Sequence, residues 1–71
     1  MMIRLKVKEI AEQRKISMTR LSRIADVNYK TIRAVFYDPY RDVAYSTLLK
    51  LAKALGVRVE DLVEVEPDEY Q

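Results

Sequence analysis

Residues 28 to 37 read Asn-Tyr-Lys-Thr-Ile-Arg-Ala-Val-Phe-Tyr. Within them Lys30, Arg33, Ala34 and Tyr37 recur at i, i+3, i+4 and i+7, the spacing of one helix face, while Ile32 and Val35 keep the spacing of a buried one. Nothing nearby in sequence neutralises the two cations. Such a face suits an anion read at close quarters. Lys30 and Arg33 can donate to guanine O6 and N7 or to phosphate oxygens, and Tyr29 can hydrogen-bond or pack on a thymine methyl. Asn28 adds a further polar group at the leading end, and the small Ala34 lets the helix approach closely. The bland alternative is a pair of half-covered tyrosines beside solvated charges.

The rest of the chain offers little other chemistry. It contains no Cys and no His, which removes thiolate nucleophiles, imidazole bases and the usual zinc ligands. Glu9, Glu12, Asp38 and Asp42 form no recognisable catalytic set without such partners, a glycine-rich phosphate loop or a metal cluster. The expectation is a protein that is not an enzyme and carries neither metal nor cofactor.

Positioning that face requires a helix beginning at Tyr29, and Asn28 is a good N-cap for it. Ser17 stands in the same relation to a preceding helix over 18 to 25, whose expected buried stripe is Leu21, Ile24 and Ala25. The three residues Asp26-Val27-Asn28 leave room only for a tight turn between them. Upstream, Val7, Ile10 and Ala11 predict a first helix over 6 to 15. Downstream, Pro39 ends the reading helix in a loop over 38 to 42. Leu48, Leu51, Ala52 and Leu55 predict a fourth helix over 44 to 55, and Gly56 is placed to end it in a left-handed conformation. A short helical turn is expected near 59 to 63.

The chain ends alternate with period two: Ile3, Leu5 and Val7 with basic residues between, Val63 and Val65 with Glu64 and Glu66 between. They are expected to pair as short antiparallel strands over 2 to 6 and 62 to 66, with Arg4 and Lys6 facing Glu64 and Glu66. Residues 1 to 66 then form the domain, and 67 to 71 are expected to be a frayed acidic tail.

The 71 residues suffice for one domain, and a chain of this size buries only about 60% of the surface its unfolded form exposes, so local contacts must dominate. The net charge of +2 conceals an asymmetry. Residues 1 to 58 carry 13 basic against 5 acidic side chains, and residues 59 to 71 carry 6 acidic and no basic. A polycationic body calls for an anionic partner. No apolar run approaches the ~20 residues of a membrane span, and the charged start lacks a signal-peptide core, so the expected location is the cytoplasm.

Ser17 to Ile32, followed by Thr47-Leu-Leu-Lys-Leu-Ala-Lys-Ala-Leu-Gly-Val and then Glu60-Asp-Leu, resembles the Cro and phage-repressor type of helix-turn-helix protein, the XRE family, over about residues 5 to 63. The resemblance implies an all-α, compact five-helix lambda-repressor-like domain whose third helix enters the DNA major groove. By family position Tyr29, Lys30 and Ala34 face bases, joined on the same end and face by Asn28 and Arg33. Ser17, Met18, Arg20, Arg23, Tyr37 and Arg41 are the expected contacts to the DNA backbone, the first two through free N–H groups of a helix start. The implied function is sequence-specific binding of double-stranded DNA as a transcriptional repressor, by a homodimer formed in solution or on DNA. An antitoxin- or adaptor-type protein-binding module on the same fold is the alternative.

Departures from the family pattern are specific. Met18 occupies the usual Gln place, which removes one phosphate contact. Asp26 stands where Gly is usual, and tolerates a left-handed backbone better than most residues. Ala11 and Phe36 replace a frequent Arg–Glu pair, and the loop after the third helix is one residue longer.

Overall fold

Three helices of this protein stop in the same way. In the computed structural model, which describes residues 2–67, Lys15 and Asp26 both have φ of 57° and Gly56 has φ of 70°. After each left-handed residue, the next N–H reaches back five residues: Ile16 to the Ala11 carbonyl at 2.9 Å, Val27 to Ser22 at 3.1 Å, Val57 to Ala52 at 3.0 Å. This is the bond that satisfies the orphan carbonyls of a helix end.

The elements in order are β1 (Met2–Leu5), α1 (Val7–Gln13), α2 (Met18–Ala25), α3 (Tyr29–Tyr37), α4 (Tyr45–Leu55), α5 (Val59–Leu62) and β2 (Val63–Glu66). The fold is the expected five-helix, predominantly α domain with a two-stranded antiparallel ribbon made by its ends. The bounds of α2 and α3 coincide with those expected, because Ser17 and Asn28 do cap them. Helix α1 is shorter than the expected 6 to 15. Lys15 turns left-handed and breaks the ladder before the apolar periodicity runs out.

Leu21, Ile32, Leu51, Leu55 and Leu62 lie fully inside, and α2 packs against both α3 and α4 around them. Ile24 is a correction: it is 49% exposed, since the stripe of α2 runs through Leu21 and Ala25, and the i+3 position falls on the flank. Ala11 is buried and Phe36 half-buried in this same apolar cluster, where relatives carry an ion pair. Replacing a buried pair by packed apolar groups often leaves stability unchanged or better.

The ribbon register sets Met2 opposite Glu66, Ile3 opposite Val65, Arg4 opposite Glu64 and Leu5 opposite Val63. Lys6 therefore does not face Glu66. It has left the strand to precede α1, and its N–H donates to the Leu62 carbonyl at 2.7 Å. The Arg4 guanidinium turns to Glu9, and that hydrogen bond is the main cause that raises its pKa above the usual arginine value. The Tyr40 hydroxyl donates to the Glu66 carboxylate at 3.2 Å, and Leu5 N–H donates to the Pro39 carbonyl at 2.7 Å, so the loop after α3 is fastened to both strands. Of the segment 67 to 71 expected to fray, only Pro67 is among the described residues.

A left-handed lysine costs roughly 1–2 kcal/mol, and glycine's greater unfolded-state freedom returns about 0.4–1 kcal/mol of the gain from removing it. Lys15→Gly is thus expected to stabilise the domain by about 0.5–1 kcal/mol in a urea melt. A destabilised variant would place the strain elsewhere.

Candidate nucleic-acid interface

The start of α3 is built by Asn28, whose Oδ1 accepts from Lys30 N–H at 2.7 Å. That bond commits the carbonyl oxygen of the side chain to the helix and leaves the amide NH₂ as its outward donor. The preceding turn is held by two groups. Asp26 supplies the left-handed residue, and the Ser22 hydroxyl donates to the Val27 carbonyl at 2.6 Å. The second of these is absent from the sequence expectation. A serine on the last turn of a helix is an ordinary polar surface residue unless the chain is known to fold back over it.

From that turn α3 presents Tyr29, Lys30, Arg33 and Tyr37 to solvent, with Ala34 partly covered between them. Tyr37 is 74% exposed, so the reading of it as a half-covered structural aromatic fails. The Arg33 guanidinium lies 5.6 Å from the centre of the Tyr37 ring. This i, i+4 cation–π contact holds a cation and an aromatic on one face. Among the described residues neither Lys30 nor Arg33 has an acidic partner. Their donors remain available.

Helix α2 adds a second element. The Ser17 Oγ accepts from Arg20 N–H at 3.1 Å, while the N–H groups of Met18 and Thr19 find no acceptor among the described residues. Unbonded N–H groups at a helix start are suited to an anion such as a phosphate oxygen. The Met18 side chain packs against the core rather than reaching outward, in keeping with the loss of the family's Gln contact. Arg20 and Arg23 are exposed. Arg41 is set apart from these groups by the loop, and lines a groove beside the ribbon with Asp42.

Helix, left-handed turn and capped second helix with a cationic outer face make a helix-turn-helix, and residues 6–68 match the family model of the Cro/C1-type HTH DNA-binding domain. The chain belongs to that family. No curated protein matches it. For a Cro/C1-type domain the binding of double-stranded DNA is the function the fold carries, and α3 is the helix that follows its turn. Among the described residues no cluster of His, Cys, Asp or Glu is arranged to hold a metal. No helix there is long and apolar enough to cross a membrane.

Proposed function

We propose that this Cro/C1-type domain is a sequence-specific transcriptional repressor of the cytoplasm that reads the major groove with α3. Asn28, Tyr29, Lys30, Arg33 and Ala34 face the bases. Ser17, Met18, Arg20, Arg23, Tyr37 and Arg41 hold the DNA backbone. The observation that supports this most is the outer face of α3, where Lys30, Arg33 and Tyr37 stand exposed around the small Ala34, next to a capped helix start. Exposed donors beside a small residue are what close approach to base edges requires. One such helix touches few base pairs, so useful specificity calls for two copies on half-sites about 34 Å apart.

Selection of binding sites from random duplex DNA tests the reading, with a two-fold symmetric motif as the expected result. Binding should weaken linearly in log affinity against log salt, and Arg23→Ala should lower that slope by about 1 without altering sequence preference. Equal binding to selected and scrambled duplexes would remove sequence-specific reading.

A further inference from the structure

The ribbon carries a solvent-facing apolar surface that DNA reading does not use. Period-two alternation places Ile3, Leu5, Val63 and Val65 on one face of β1 and β2. Leu5 and Val63 rest on the core, whereas Ile3 and Val65, directly opposite each other, are 50% and 57% exposed. Together with Val43 and Leu48 they line a groove of about 490 Å³, where Arg41 and Asp42 also stand.

A second copy could reach this ribbon by its edges or by this face. The edges are guarded. Leu5 N–H, which points away from β2, is already taken by the Pro39 carbonyl. Strand alternation then puts the free N–H groups of Val63 and Val65 on the outer edge of β2. A two-fold pairing through Val65 would set Glu64 against the second copy's Glu66, and like charges directly opposite are destabilising. The edge of a four-residue strand is also a small part of the roughly 800 Å² that each partner gives to a stable interface. The face meets both requirements. It is apolar and backed by a groove, and the adjacent Arg41 and Asp42 are self-complementary, since a two-fold axis sets each against its opposite in the other copy.

We infer that two copies of this chain associate face to face, with Ile3 and Val65 of each entering the groove of the other and Arg41 meeting the second copy's Asp42. This deepens the two-half-site reading and rests on it for the consequence on DNA. The surface itself is tested without DNA, by sedimentation of the full chain across a micromolar-to-millimolar series.

Wild type should dimerise, and Ile3→Ser/Val65→Ser should raise the dissociation constant roughly tenfold or more, as expected when apolar anchors at an interface centre are truncated. Arg41→Asp and Asp42→Arg should each weaken the dimer, and the two together should restore it. That rescue does not depend on whether the apolar variant folds. Glu64→Gln/Glu66→Gln should leave the constant unchanged. On DNA, Ile3→Ser/Val65→Ser should bind one half-site as wild type does and lose cooperativity between two. A wild type that stays monomeric through millimolar concentration, a charge swap without rescue, or tighter association on neutralising Glu64 and Glu66 would each overturn the inference. Failure of DNA reading has a different signature, with normal sedimentation and no preference among duplexes.

Discussion

Replacing Ile32 by alanine is expected to cost about 2–5 kcal/mol, the range for removing a buried aliphatic side chain from a core that relaxes only partly. Ile32 is fully buried on α3, the helix whose outer face carries the reading residues, and sits in the cluster that Leu21, Leu51 and Leu55 share. Native domains hold only about 5–15 kcal/mol in total, and one this small lies toward the lower end. A urea melt followed by circular dichroism should show a largely lost native baseline. Leu51→Ala should behave alike, because Leu51 is equally enclosed on α4. Leu48 is 9% exposed and lines the groove, so its truncation should cost less than either. A loss under about 0.5 kcal/mol at Ile32 would mean that α3 is not seated through that side chain.

Lys30→Ala and Arg33→Ala should have the opposite profile, with an intact fold and impaired binding. Each base-reading side chain is expected to contribute about 1–3 kcal/mol of discrimination, and its loss should relax preference at one position of the selected motif. Arg33→Lys separates charge from geometry. It keeps the cation and gives up the planar fork that can engage guanine with two bonds or stack on Tyr37. If Arg33 reads a base, the lysine variant should bind scrambled duplex as wild type does and lose specificity. If it holds a phosphate, the lysine variant should retain most of both. Unchanged affinity of both alanine variants for both duplexes would remove α3 as the reading element.

The parts of this fold that were legible in the sequence are those governed by local rules. Ser17 and Asn28 announce their helices because an N-cap acts within three residues of itself, and Gly56 announces an end because left-handed geometry favours it. The cationic face of α3 was visible from spacing alone, since a helix face is a periodicity. Lys15 was not legible: it uses the conformation of Gly56 without the residue type that signals it. Ile24 looked buried because i+3 and i+4 are equally good neighbours until the packing partner chooses between them. Matched alternation suggested the ribbon, but its register needed the structure. Arg4 had two acidic candidates, and the start of α1 brought Glu9 within reach while Glu64 sat across the strand. The Ser22 bond to Val27 and the Tyr40 bond to Glu66 both depend on where a chain returns, which no local pattern encodes.

The ribbon also bears on the order in which the molecule assembles. Its strands join Met2 to Glu66, almost the full described length, whereas α2, α3 and α4 meet through contacts between near neighbours in the chain. Loop-closure entropy must be met before so distant a pairing gives anything back, so helices with local contacts are expected to dock first and the strands to zip last. A chain emerging from synthesis cannot form the ribbon until β2 has been made. The apolar face of Ile3 and Val65 is therefore completed only when the body that reads DNA is already in place, and an unfinished chain has no matching surface with which to capture a neighbour.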